Sequence, residues 1–248
     1  MKISIITVVY NNVTTIEEAI KSVLSQNCSD IEYIIIDGKS NDGTLELIHK
    51  YKEKIHKIIS EKDNGIYDAM NKGIQCATGD IIGILNSDDL YADDNVLKDV
   101  KRYFDEDPKL DILYGDLVYV KSDDIDKVVR NWKSSSYYSN YFERGNVPPH
   151  PSLFLKACVY KKAGLFDVKY KLAADYEFML RIFKKYNFNS KYISRLMVRM
   201  RLGGASNKNL NNIIKANKEV LDAWKRNDLK VPTFLLPIKI FKRLTQFF

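Results

Sequence analysis

Short apolar runs alternate with amphipathic stretches through the first half of the chain, and that alternation predicts its elements. Residues 2–10 read as a near-continuous apolar strand, the pattern of a strand covered on both faces. Thr14 and Glu17 stand in a capping-box relation that opens a helix through about Leu24. Residues 32–37 form a second buried strand, 38–43 a turn, and Thr44 caps a helix to about Tyr51. Ile58 and Ile59 mark a short strand, 66–76 a helix and 80–85 the next strand. This strand–helix rhythm predicts an α/β fold with a doubly wound, mostly parallel sheet, whose ligands bind at the carboxyl ends of the strands.

The second half is less regular. Residues 112–114 and 117–120 read as strands, and 133–141, rich in Ser and Tyr, as a surface loop. Pro148, Pro149, His150 and Pro151 make a rigid extended stretch. Residues 175–186 are helical, and 207–226 form a longer amphipathic helix. In the tail, Ile238, Phe241, Leu244 and Phe248 share one helical face, flanked by Ile240 and Phe247. Lys239, Lys242, Arg243 and Gln246 share the other.

Charge sharpens the reading of that tail. Residues 215–248 hold eight basic groups against three acidic ones, most of the chain's net +7. The near-neutral remainder argues against nucleic-acid binding. A basic, apolar tail fits either a terminal helix docked on the body or a helix lying on an anionic membrane surface. No run of about 18 apolar residues offers a membrane span. At 248 residues and 45% hydrophobic content, the chain suits one large domain with a C-terminal appendage. Cys28, Cys76 and Cys158 are widely separated and lack metal-ligand spacing, which points to a reducing, cytoplasmic compartment. Met1 and Lys2 lead directly into the first strand, unlike a signal peptide.

Candidate chemistry collects at the predicted strand ends. Asn86, Ser87, Asp88 and Asp89 follow the apolar run 81–85. Adjacent acids at the exit of a buried strand are costly unless their charge is offset. Mg²⁺ or Mn²⁺ on a diphosphate would offset it, since hard oxygen ligands suit these ions. An acidic turn capping the next helix is the alternative. Strand one ends in Thr7, Val9, Tyr10, Asn11 and Asn12, and strand two in Asp37 and Gly38. A base could lie against Val9 and Tyr10 while Asp37 accepts a hydrogen bond from its ring N–H. There is no G-x-G-x-x-G after strand one and no P-loop.

Ten segments carry a family resemblance, in order and at family spacing. They are 4–12 (SIITVVYNN), 19–26 (AIKSVLSQ), 32–44 (EYIIIDGKSNDGT), 60–73 (SEKDNGIYDAMNKG), 77–80 (ATGD), 85–89 (LNSDD), 150–154 (HPSLF), 164–167 (GLFD), 173–177 (AADYE) and 201–206 (RLGGAS). The chain resembles family 2 glycosyltransferases of the GT-A fold, of the bacterial O-antigen and surface-polysaccharide type. The resemblance implies a GT-A domain over 1–206, with a nucleotide-sugar half to about 115 and an acceptor half from about 116. Residues 207–248 then form basic amphipathic helices.

By the same resemblance, Thr7, Val9, Tyr10 and Asp37 wall the uracil and ribose. Asp63, Asn71 and Lys72 close over the nucleotide, Ser87 and Asp88 meet the donor, and Asp89 ligates Mn²⁺ or Mg²⁺. Asp175 takes the place of the catalytic base. The implied reaction is inverting transfer of a hexose or N-acetylhexosamine from a UDP-sugar to a polyprenyl-diphosphate-linked saccharide, at the cytoplasmic face of an anionic membrane. Asn86 stands where many relatives carry Asp, and Ala174 where many carry Glu.

Several residues keep two readings. His150 is a substrate contact or a structural histidine, and Arg201 a ligand of phosphate or an ordinary surface arginine. Lys72 is a solvated helix residue on the plainer reading. Tyr137, Tyr138 and Tyr141 stack on sugars or belong to a partly packed loop. His49, His56, Asp123 and Asp124 read as surface. Two other functions compete. A nucleotidyltransferase would want a Gly-rich basic loop after strand one, which residues 10–13 do not supply. A non-catalytic nucleotide-sugar-binding partner would not need both Asp89 and Asp175.

Overall fold

A computed structural model describes residues 1–203 and 210–244. Strand β1 (Ile3–Val9) is buried along its whole length. It pairs in parallel with β2 (Ile31–Asp37) and β4 (Ile81–Ile84), and β3 (Lys57–Ser60) extends the sheet beyond β2. The alternation of a strand sends Ile3, Ile5 and Val9 to one face, against Ile16, Ile20 and Val23 of α1 (Ile16–Leu24). It sends Ile6 and Val8 to the other, against Met70 and Ile74 of α3 (Ile66–Cys76). A Cβ on Gly73 would collide with the Ile6 side chain, so α3 lies close upon β1. Val9 is in register with Asp37, and Asp37 with Ser60, so the carboxyl ends of these strands share one edge.

Two expected caps are built differently. Thr14 Oγ1 donates to Asn12 Oδ1 at 3.3 Å, and α1 begins at Ile16 without a side-chain cap. Glu17 instead accepts the Tyr51 hydroxyl at 2.5 Å and pairs with Lys21 at 3.1 Å. Tertiary packing brought Glu17 stronger donors than its own helix offers. In α2 (Thr44–His49), Gly43 is the N-cap residue, with φ of 95°. Asp42 Oδ1 accepts the Thr44 N–H at 3.0 Å, so Asp42 does the work expected of Thr44.

Beyond β4 the sheet becomes mixed. Its order is β3-β2-β1-β4-β8-β6-β9-β5, with β7 (Val128–Trp132) paired to β6 (Ile112–Val120). β8 (Leu153–Lys156) is antiparallel to both β4 and β6, whereas β9 (Ser190–Arg201) is parallel to β6. The two strands expected at 112–114 and 117–120 are one strand with shifted register around Gly115 and Asp116. A Cβ on Gly115 would stand 2.7 Å from the Arg195 carbonyl, so glycine permits the approach of β9. β5 (Asp89–Tyr91) pairs antiparallel with β9, placing Asp89 opposite Met200.

The remaining helices are α4 (Val96–Glu106), α5 (Ala157–Ala163), α6 (Ala174–Leu180), α7 (Leu210–Arg226) and α8 (Leu235–Leu244). A π-helical turn over Arg181–Lys185 continues α6. The segment 133–141 is a surface loop only in part. Tyr141 and the next residue, Phe142, are buried, and the Tyr137 ring lies 5.1 Å from Phe183. Burying aromatic area outweighed the polarity of the serines.

The tail is docked on the body. Trp224 of α7 is buried and donates to the Tyr176 hydroxyl at 2.9 Å. α8 buries Leu235 and sets Ile238 against Gly145. Phe234, Ile240 and Phe241 stay 67%, 58% and 67% exposed. Ile238 therefore faces inward and Phe241 outward, which divides the apolar face expected to hold them together. The Arg243 and Leu244 side chains and Gln246, Phe247 and Phe248 of that expectation lie outside the description, as do 204–206 of the last family segment. No helix among the described residues is long and apolar enough to cross a membrane.

Candidate functional site

The strand ends open on a cleft of about 1320 Å³, walled on its far side by α6, α7 and α8. Side chains tie the strand ends together. The Asn11 N–H donates to Ser40 Oγ at 2.8 Å, and the Asn41 N–H to Asn11 Oδ1 at 2.9 Å. Asn12 Nδ2 donates to Ser87 Oγ at 3.0 Å, and Thr15 Oγ1 to the Ser87 carbonyl at 2.9 Å.

Val9, Tyr10, Asp63, Ser87, Asp88, His150 and Asp175 line the cleft. Tyr10 is open to it and 66% exposed. Asp37 is fully buried beside cleft-lining Gly38, and its carboxylate accepts the Ser60 hydroxyl at 2.5 Å and the Ser40 N–H at 3.1 Å. Thr7 does not reach the cleft: its buried hydroxyl oxygen accepts from Tyr33 at 3.1 Å, on the face toward α1.

On α3, Lys72 is a fixed cation rather than a solvated one. It meets Asp63 at 2.6 Å and Glu61 at 2.9 Å. Burial pulls its pKa down, but these contacts outweigh burial and raise it. Asn71, expected to close over the nucleotide, turns away from the cleft. Its amide donates to the Phe166 carbonyl and accepts the Phe166 N–H, both at 2.9 Å, which pins segment 164–167 to α3.

The acidic pair has a distinctive electrostatic state. Asp88 lines the cleft half-buried, and burial raises its pKa. Asp89 is fully buried rather than standing exposed at a strand end. Its Oδ2 accepts from Asn86 Nδ2 at 2.9 Å, whereas its Oδ1 and Asn86 Oδ1 are buried without a partner. Burial, then the charge of Asp88, pushes the Asp89 pKa well above the carboxylate range. Orphaned hard oxygens beside two strained acids fit a divalent cation. No group of three or more His, Cys, Asp or Glu suited to a metal occurs among the described residues, so a bound ion would draw further ligands from diphosphate and water.

Arg201 lies behind this turn rather than in the cleft. It is 4% exposed, pairs with Glu18 at 2.6 Å and donates to the Asp88 carbonyl at 2.9 Å. Its charge is spent on holding the acidic turn, so it is neither a surface arginine nor a free phosphate ligand.

Asp175 enters from the opposite wall, in the first turn of α6, and its Oδ1 accepts the Tyr67 hydroxyl at 3.0 Å. Tyr67 thus orients the carboxylate from α3. Ala174 is fully buried, so the side chain preceding Asp175 packs into the core. His150 stacks edge-on against Phe166, with centroids 5.5 Å apart. Burial lowers its pKa and the Asp175 charge opposes that shift.

The cleft also holds residues that sequence reasoning did not mark. Arg130 lies 3.7 Å over the Tyr119 ring, and Tyr119 stacks on Trp132. The alternation of Arg130 and Trp132 along β7 was a usable signal. Lys239 of α8 lines the cleft too, and only tertiary docking of the tail reveals it.

The chain is similar to known glycosyltransferases. A glycosyltransferase of PGL/p-HBAD biosynthesis from Mycobacterium bovis is 26% identical over 208 residues, covering 82% of this chain and 78% of its own. An uncharacterized glycosyltransferase of Mycobacterium tuberculosis is 30% identical over 181 residues, covering 72% and 68%. Among solved structures, S. aureus TarS 1-349 in complex with UDP-GlcNAc superposes with a TM-score of 0.71 at 18% identity, covering 96% of this chain and 70% of that one. The mannosyltransferase PcManGT of Pyrobaculum calidifontis, solved with GDP-Man and Mn²⁺, gives 0.67 at 16%, covering 98% and 69%. This chain spans only 43% of a longer TarS structure. At these identities the solved structures establish the fold, which is GT-A. The model of glycosyl transferase family 2 matches residues 4–159, more than half of the sequence: the chain belongs to that family.

Proposed function

We propose that the protein is an inverting glycosyltransferase that moves a hexose or N-acetylhexosamine from a UDP-sugar to a polyprenyl-diphosphate-linked saccharide in surface-polysaccharide synthesis of the O-antigen type. One observation carries the reading. Asp175 from the second half and Asp88 of the acidic turn from the first line a single cleft, with Asp89 buried next to Asp88. Val9, Tyr10 and Gly38 would hold the nucleotide. Asp175, held by the Tyr67 hydroxyl, would take the proton of the acceptor hydroxyl as that oxygen attacks the anomeric carbon from the face opposite the leaving group. Asp89, with Asp88 and Asn86 beside it, would hold Mn²⁺ or Mg²⁺. These residues would hold the ion where its charge would offset that developing on the departing diphosphate. TarS in complex with UDP-GlcNAc supports the uridine donor.

The cleft of about 1320 Å³ exceeds the roughly 300–1,000 Å³ of common small-ligand sites, which leaves room for an acceptor beside the donor. Screening nucleotide sugars by thermal shift tests the reading. UDP-sugars should raise Tm more with Mn²⁺ than with EDTA. Absence of any UDP-dependent shift would refute it.

The exposed Ile240 and Phe241 of the basic helix α8, with exposed Phe234 in the turn before it, support a peripheral position on the cytoplasmic face of an anionic membrane. Co-sedimentation with anionic vesicles should weaken as salt rises. Failure to sediment at low salt would remove the membrane from the proposal.

A further inference from the structure

Lys239 stands apart from the other charges of the cleft. It projects from the docked tail helix into the cleft wall, with its ammonium 4.2 Å from the ring of Tyr176, the residue after Asp175. Among the described residues it has no hydrogen bond and no ion pair. Burial lowers its pKa to about 8, against the opposing charge of Asp175. Lys239 is half-buried at the cleft wall with no anion beside it, and an anion bound in the cleft would offset the cost of its partial desolvation. The neighbouring wall is partly apolar: Ile213, Ala216 and Val220 of α7 and Ile240 of α8 line the same cleft beside Asn217 and Lys242, and Ile213 and Ile240 are also open to solvent. The Lys239 ammonium, within reach of the Asp175 charge, thus borders apolar side chains that reach the solvent.

We infer that the α7–α8 wall is the acceptor's carrier subsite, where Lys239 binds a phosphate of a lipid diphosphate and Ile213 and Ile240 receive the start of its isoprenoid chain. The inference rests on the glycosyl-transfer reading above and adds the residues that would select the acceptor. It reassigns to Lys239 the phosphate contact that Arg201, paired with Glu18, has no charge to make. The phosphate could equally belong to the donor, so the test separates the two sources.

The probes are farnesyl diphosphate and inorganic pyrophosphate, titrated calorimetrically into metal-free protein, and UDP, titrated separately with Mn²⁺. Wild type should bind farnesyl diphosphate more tightly than pyrophosphate. Lys239→Met should weaken farnesyl diphosphate at least about tenfold, as expected for loss of a charge-assisted hydrogen bond. Lys239→Arg should restore most of that affinity. Ile240→Ser, at an exposed position, should weaken farnesyl diphosphate and leave pyrophosphate unchanged. UDP affinity should be the same in all four proteins. The Tm of Lys239→Met should not fall, because the substitution removes an unpaired charge and keeps the apolar stem.

Unchanged farnesyl diphosphate affinity in Lys239→Met, or none in wild type, overturns the subsite. A matching fall in UDP affinity assigns the cation to the donor and overturns it as well. A lower Tm in Lys239→Met would mark a structural lysine. If wild type failed to bind UDP at all, the glycosyl-transfer reading would fall, a result distinct from any of these.

Discussion

Asp175→Asn should lower kcat by about 10²–10⁴, the usual contribution of a positioned general base, while the affinity for UDP-sugar stays near that of wild type. The amide keeps the shape of the carboxylate and an oxygen able to accept the Tyr67 hydroxyl, now at 3.0 Å. What it loses is basicity, so the defect belongs in the chemical step rather than in donor binding. Single-turnover measurement at saturating UDP-sugar and Mn²⁺ isolates that step. A variant with intact single-turnover chemistry and collapsed UDP binding would make Asp175 part of the donor wall instead of the base.

Asp89→Asn should depress transfer by about 10²–10³ and yet stabilise the metal-free protein. The two effects have one origin. The carboxyl is fully buried with one oxygen unpartnered, and the folded protein holds its pKa far above the value in the unfolded chain. Stability is therefore lost as pH rises from the ordinary carboxylate range toward the raised folded value, because the unfolded chain ionises first. An amide cannot ionise, so at pH 7 its Tm in EDTA should exceed that of wild type. Mn²⁺ should raise the Tm of wild type and leave Asp89→Asn unmoved. For the same reason, Mn²⁺ affinity of wild type should fall on acidification at a higher pH than ordinary carboxylates would give. A drop in Tm for Asp89→Asn would make Asp89 a structural acid whose ionised form the fold requires.

The alternating half of the chain was legible because its signals are local. The apolar run at β1, the helix at 66–76 and the acidic turn at 86–89 each follow from neighbours in sequence. The residues on which reading and structure differ answer to partners far along the chain. Arg201 is fixed by Glu18 and Asn71 by Phe166, and neither partner is visible in a local window. Glu17 gave up its capping role to Tyr51 for the same reason. The tail showed its two faces in sequence, but not which of them would meet the body. Ile238 turned inward against Gly145, and that rotation aimed Lys239 at the cleft.

The short strand β5 carries a lesson for recombining such enzymes. Asp89 begins it, and the strand's ladder partner is β9, more than a hundred residues downstream. The acidic turn that leads into it is braced by Arg201, the last residue of β9. A chimera joined near residue 115, with a foreign second half, would inherit the strand ends of β1 and β2 but would have to rebuild the seat of its acidic turn on an unfamiliar strand. Donor choice and catalytic competence would then not segregate as exchangeable modules. Crossover points that keep residues 86–91 and 196–201 from the same parent should give functional hybrids more often than a cut at the apparent midpoint.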